Sequence, residues 1–162
     1  MGGIVPQLVL VLVLVILNAV FAGSELALVS LRDGQLQRLE QQSEAGRTLS
    51  RLAKQPNQFL ATIQIGITLA GFLASAAAAV SLADPLVEPL GFLGDAATPV
   101  SILVVTLILS YVTLVFGELA PKRIAMQRAE RWGLAVARPL SALSRLTRPA
   151  VWLLSKSTDL AV

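Results

Sequence analysis

Long apolar runs alternate with polar segments along the whole chain, and this alternation predicts the elements of the fold. Nearly uninterrupted apolar stretches cover residues about 4–31, 57–82 and 100–121. A bilayer core roughly 30 Å thick takes about 20 residues of helix at 1.5 Å each, so each stretch is long enough to cross it. The pattern therefore predicts an all-α membrane protein with three transmembrane helices.

The segments at 32–55 and 124–158 are polar and predict juxtamembrane helices. Both combine basic side chains with apolar residues at roughly helical spacing, which is typical of amphipathic helices lying in the membrane interface. We expect a helical hairpin or broken helix in the first segment, and helices bent at Pro139 and Pro149 in the second. The connection at 81–101 is rich in proline and glycine and predicts a compact turn with one short helix near residues 86–90.

Composition supports the membrane assignment and restricts the chemistry. The chain of 162 residues is 55% hydrophobic and 14% charged, whereas soluble domains carry about a quarter charged residues. It contains no cysteine and no histidine, which excludes disulfides, thiolate metal sites and histidine general bases. A lone intramembrane acid without a paired nucleophile gives an enzyme little to work with, so we do not predict enzymatic activity.

The distribution of charge predicts the orientation of the spans. All 13 lysines and arginines lie in Arg32–Lys54 or in Lys122–Lys156, and the connection at 81–101 has only acidic charges. Cytoplasmic segments carry the excess of basic residues, so the N-terminus is expected outside and the C-terminal segment in the cytoplasm. This topology signal also accounts for the net charge of +3 without a nucleic-acid partner.

Glu118 places a carboxylate at the end of the third apolar run, between Gly117 and Pro121. An ionisable group within a span is costly, so it usually faces a partner or a water-filled cavity and marks a pathway. The alternative is that Glu118 lies at the headgroup level, paired with Lys122 one helical turn away.

The first span supplies three further polar candidates, Asn18, Ser24 and Glu25. Asn18 and Glu25 are seven residues apart and share a helix face, whereas Ser24 points roughly 120° away from Asn18. Ser24 and Asn18 could reach one site only if the helix loosens at Gly23. The alternatives are a bond from Ser24 to its own helix and an interhelical hydrogen bond from Asn18.

The second span contributes Gly66, whose carbonyl could face a cavity, although a stripe of small residues also serves helix packing. Counting helical rise from the span ends places all of these groups in the cytoplasmic half of the membrane. Amide, hydroxyl, carbonyl and carboxylate oxygens suit a hard cation such as Mg²⁺. Gln64, Thr68 and Tyr111 could form a surrounding layer or a Na⁺ site, although a packed aromatic is the alternative for Tyr111.

Three segments together resemble the CorC/CNNM (cyclin M) family, the membrane domain of a group of magnesium transporters. They begin at Asn18 (NAVFAGSELA), Gln64 (QIGITLAG) and Phe116 (FGELAPK), in the family's order. The resemblance implies a homodimer of three-span protomers in the inner (plasma) membrane. It also implies Mg²⁺ bound in an inward-open cavity by Glu118, Ser24, Asn18 and the Gly66 carbonyl, with Glu25 a weaker ligand.

The same resemblance implies Mg²⁺ export driven by Na⁺ entry, with ATP acting through cytoplasmic CBS domains of the full-length protein. No CBS pair occurs in this sequence, so no nucleotide site is assigned to it. The competing hypothesis is a membrane-anchored Mg²⁺ sensor or regulatory scaffold without transport activity.

Overall fold

The structure, a computed structural model, describes residues 4–162, except for the side chains of residues 80 and 81. Helices and short turns account for this part of the chain, and it contains no strand. Three helical stretches are long and apolar enough to cross a membrane: Ile4–Ser30, Pro56–Ala77 and Gly91–Gln127. The predicted all-α class with three candidate spans is therefore confirmed.

The helices follow one another with few intervening residues. They are α1 (Ile4–Ser30), α2 (Asp33–Gln42), α3 (Glu44–Ala53), α4 (Pro56–Ala77), α5 (Asp84–Val87), α6 (Ala97–Leu114), α7 (Ala120–Gln127), α8 (Ala129–Leu146) and α9 (Arg148–Ala161). Two π-helical turns, Ala78–Leu82 and Val115–Leu119, and one 3₁₀ turn, Gly91–Ala96, connect some of them.

The chain divides into two compact units, and the first comprises Met1–Val20 and Gly66–Pro121. Its core is made by α1, α4 and α6. Val11 and Val15 pack against Ala77, and Leu14 packs against Ala70 and Ala74, with Leu109 of α6 contacting both clusters. The small alanines on α4 allow the helices to approach closely, which is how spans associate in lipid.

The second unit comprises Phe21–Ile65 and Lys122–Val162. The α2–α3 hairpin packs on α8, where Leu49 is fully buried and lies so close to Gly133 that an added Cβ would stand 2.9 Å from its Cδ2. Exposed ion pairs join Arg38 to Glu130 and Arg138 to Glu44 at the edges of this contact. Such exposed pairs contribute at most about 1 kcal/mol each, so the apolar contact dominates.

The break in the first polar segment agrees with the expected hairpin, whereas the breaks in the second segment differ from the expected ones. The first polar segment breaks at Ser43, whose hydroxyl caps α3 by accepting from the Gly46 N–H at 3.0 Å. Helix α8 is not interrupted at Pro139, and the chain breaks at Thr147 instead. Pro149 lies in the first turn of α9, where a backbone N–H would have no partner within the helix, so proline costs no helical hydrogen bond there.

Candidate functional site

A π turn in the third span sets the direction of Glu118. Over Val115–Leu119 the helix widens by one residue, and the Ala120 N–H donates to the Val115 carbonyl five residues earlier. One extra residue changes the register by about 100°, so Glu118 takes the direction that residue 117 would have on a regular helix. That direction is shared with a row of hydroxyl residues on α6, namely Thr106, Ser110 and Thr113, which line the same cavity as Glu118.

The carbonyl of Gly117 explains both the turn and the position of Asn18. In a regular helix this carbonyl would accept from the N–H of residue 121, but residue 121 is proline and has no N–H. The Asn18 side chain supplies the missing donor, with Nδ2 lying 2.8 Å from the Gly117 oxygen. Asn18 is 3% exposed and its Nδ2 donates to Gly117, so Oδ1 is the side-chain atom that can accept a hydrogen bond or bind a cation.

The space in front of Glu118 is a cavity of about 310 Å³ within the first unit. Six water molecules at about 30 Å³ each occupy about 180 Å³, so the cavity is large enough for Mg²⁺ with an octahedral hydration shell. All three candidate spans contribute to its lining, which is formed by Leu14, Val15, Asn18, Ala70, Gly71, Ala74, Ser75, Thr106, Leu109, Ser110, Thr113, Leu114 and Glu118. Sequence reasoning missed the three hydroxyl residues of α6 as cavity lining, although their spacing of three and four residues could have been noticed.

The charge in this cavity is low. Glu118 is the one acid among the lining residues, and no group of three or more histidine, cysteine, aspartate or glutamate side chains occurs in the described part of the chain. A resident divalent ion normally has more anionic ligands than this. A single carboxylate with neutral oxygens fits a cation that binds, keeps part of its water and leaves again.

Four further candidates, Gly66, Gln64, Thr68 and Tyr111, are not among the residues that line this cavity. Helix α4 is continuous through Gly66, and Gly66 is not among the lining residues. Tyr111 is 68% exposed, and it also does not line the cavity. Gln64 and Thr68 have exposed side chains, and each makes interactions of its own.

Ser24 and Glu25 belong to the second unit, where Ser24 contacts α8. The Trp132 Nε1–H donates to the Ser24 hydroxyl at 3.1 Å, and Ser24 is only 1% exposed. Helix α1 is an unbroken α-helix through Gly23, so the loosening required for Asn18 and Ser24 to share a site is not seen in this conformation. Glu25 is half-buried. No local pattern indicates the contact between Trp132 and Ser24, because the two residues are 108 positions apart in the chain.

Comparison with known proteins assigns the family. The family model of the cyclin M (CNNM) transmembrane N-terminal domain matches residues 9–162. The chain belongs to the CNNM family. This match covers most of the first span, the other two spans and the juxtamembrane helices, so the CNNM resemblance extends well beyond the three short segments.

Bacterial relatives support the same assignment. A UPF0053 protein of Synechocystis is 41% identical over 157 residues, covering 94% of this chain and 35% of the relative. UPF0053 protein YhdT of Bacillus subtilis is 33% identical, covering 96% and 35%. UPF0053 inner membrane protein YfjD of Escherichia coli is 29% identical, covering 88% and 31%. The CNNM chain thus spans about a third of the length of these curated relatives, and it is a multi-pass membrane protein.

Proposed function

We propose that this chain is the membrane domain of a Mg²⁺ transporter and that Mg²⁺ binds in the cavity in front of Glu118. The observation that carries the proposal is the direction of Glu118. A π turn and a proline that cannot donate together direct a half-buried carboxylate into a space bordered by three candidate spans. π turns are frequently found at functional sites, and an intramembrane acid marks an ion pathway by default.

Glu118 and Asn18 are the principal ligands in this proposal. Their oxygens are of the hard type that Mg²⁺ prefers, and the size of the cavity leaves room for retained water. We also propose three additional ligands: Ser24, the Gly66 carbonyl and Glu25. They would act in a conformation that differs from this one, since α1 and α4 are regular helices at these residues here.

The transport cycle is proposed from the family. Mg²⁺ would be exported in exchange for Na⁺ by a homodimer in the inner (plasma) membrane, with the N-terminus outside and the C-terminus in the cytoplasm. ATP would act through the CBS domains of the full-length protein. Basic residues confined to Arg32–Lys54 and Lys122–Lys156 support this orientation.

A Mg²⁺ flux assay on the full-length protein in lipid vesicles tests the proposal. Vesicles loaded with Mg²⁺ are placed in Na⁺ or choline medium, and flux is followed with a Mg²⁺ dye. The wild type should show Mg²⁺ flux that depends on Na⁺. Glu118→Gln should reduce this flux to the level of vesicles without protein. Glu88→Gln, at an exposed carboxylate in the connection between the second and third spans, is the matched control and should leave flux unchanged.

The alternative function is a membrane-anchored Mg²⁺ sensor or regulatory scaffold. The low charge of the cavity favours transport, because a sensor gains from tight binding whereas a transporter must also release its ion. Mg²⁺ binding that is lost in Glu118→Gln, together with an absence of flux in the wild type, would support the sensor and contradict the transporter.

A further inference from the structure

Trp132 covers the part of α1 that carries Ser24. Its indole lies against Gly23, so closely that a Cβ built on this glycine would stand 2.6 Å from Cε2 of the ring. The adjacent Ser24 accepts the indole N–H at 3.1 Å and is 1% exposed. Gly23 thus leaves room for the ring, and the Ser24 hydroxyl accepts a hydrogen bond from its N–H. Together they form a contact that fits a tryptophan side chain.

The indole N–H and a cation place positive charge on the same oxygen. A serine hydroxyl has two acceptor lone pairs, and the indole is a donor only. A cation bound to Ser24 Oγ withdraws electron density from it and repels the positive end of the N–H dipole, so each partner weakens the other. Ser24 is also 1% exposed in this conformation, which leaves almost no surface for an ion to approach its oxygen.

The ring has a second effect through Gly23. A helix loosens most readily at glycine, and loosening at Gly23 is what would allow Asn18 and Ser24 to face one ion. With the indole packed against it, Gly23 is held in the regular α1 helix that the structure has. Departure of the ring would uncover the Ser24 oxygen and release the constraint on Gly23 together.

We infer that Trp132 is a latch on the transport site: its indole and Mg²⁺ compete for Ser24, and ion binding releases α8 from α1 at Gly23. The inference rests on the proposed function, since it takes Ser24 as a Mg²⁺ ligand. Coupling of this kind is reciprocal, so whatever holds α8 against α1 lowers Mg²⁺ affinity. Trp132 is a positioning residue in this scheme and does not touch the ion.

Fluorescence of the native indole tests the latch without altering it. The chain has two tryptophans, and the other, Trp152 on α9, is 63% exposed. In a Trp152→Phe variant in lipid nanodiscs, MgCl₂ should shift the Trp132 emission towards longer wavelength. The half-saturation should equal the calorimetric Kd, and choline chloride of equal ionic strength should give no shift. Unchanged emission across a titration in which calorimetry detects binding overturns the latch.

The Trp132→Phe variant gives the second measurement. Phenylalanine removes the N–H donor and also shortens the ring system that packs on Gly23, and both losses favour the ion in this scheme. Mg²⁺ affinity should increase by about two- to twelve-fold, which corresponds to one net neutral hydrogen bond. Unchanged or weaker affinity contradicts the competition.

The Ser24→Ala variant distinguishes failure of the latch from failure of the proposed Mg²⁺ ligand assignment. If Ser24→Ala binds Mg²⁺ as tightly as wild type, Ser24 is not a ligand, and both the ligand assignment and the latch are overturned. If Ser24→Ala weakens binding while Trp132→Phe and the emission show no effect, the ligand assignment stands and the latch alone is overturned. Absence of Mg²⁺ binding in the wild type overturns the proposed function itself.

Discussion

Replacement of Pro121 by alanine tests whether the missing N–H is the origin of the site geometry. An alanine at 121 can donate to the Gly117 carbonyl, which lets Val115–Leu119 close into a regular α-helix. Glu118 would then turn by about 100° about the helix axis. At a side-chain radius of 5–6 Å this moves the carboxylate by about 8–9 Å, whereas Mg²⁺ ligands stand at about 2.1 Å.

The Pro121→Ala variant should be more stable than the wild type, although it should bind Mg²⁺ less tightly. An interior proline costs a helix about 3 kcal/mol relative to alanine. Truncation of the buried Pro121 ring removes two methylenes at about 0.8 kcal/mol each. The free energy of unfolding should therefore rise by about 1 kcal/mol, while Mg²⁺ affinity falls as far as it does in Glu118→Gln.

Calorimetric Mg²⁺ titration and denaturant unfolding followed by circular dichroism measure the two effects. Pro139→Ala is the matched control, because Pro139 also lies inside a helix but is exposed and far along the chain from the turn. It should raise stability and leave Mg²⁺ affinity unchanged. Wild-type affinity in Pro121→Ala would refute the argument that the proline directs Glu118 into the cavity.

Two further substitutions test single contacts. Asn18→Leu removes the donor to the buried Gly117 carbonyl and should lower the free energy of unfolding by about 1–3 kcal/mol in denaturant titration. The control, Asn57→Leu at the exposed start of α4, should change this free energy by less than about 0.5 kcal/mol. Equal effects of the two changes would contradict the role given to Asn18. Gly23→Ala should displace the Trp132 ring and shift its emission to longer wavelength without Mg²⁺, and an emission spectrum like that of the parent would show that the ring does not need the glycine.

The three spans could be predicted, and the polar candidates could be singled out for testing, because both depend on local properties. Apolar length decides whether a helix can cross the membrane, and a lone acid in such a helix stands out whatever surrounds it. A local signal for the disturbed turn that directs Glu118 can also be found in the sequence. A glycine carbonyl four residues before a proline lacks its donor, and this spacing of Gly117 and Pro121 indicates a disturbed turn.

Other features depend on contacts between distant parts of the chain. The contact of Trp132 could not be predicted, because the position of this tryptophan on a basic amphipathic segment is equally compatible with lipid contact. Its bond to Ser24 follows from the packing of α8 against α1 in the second unit. The break at Ser43 could have been found, since a serine that precedes a helical leucine pattern is a common N-cap.

Mg²⁺ calorimetry on the wild-type chain and on Glu118→Gln tests the central claim most directly. We expect one saturable Mg²⁺ site in the wild type and in the Glu88→Gln control. Loss of a direct ligand should weaken binding more than loss of an outer partner, which typically costs 10- to 100-fold, so Glu118→Gln should weaken it by at least about 100-fold. Equal affinity in the wild type and Glu118→Gln would mean that the carboxylate directed into the cavity does not bind the ion, and would contradict the account.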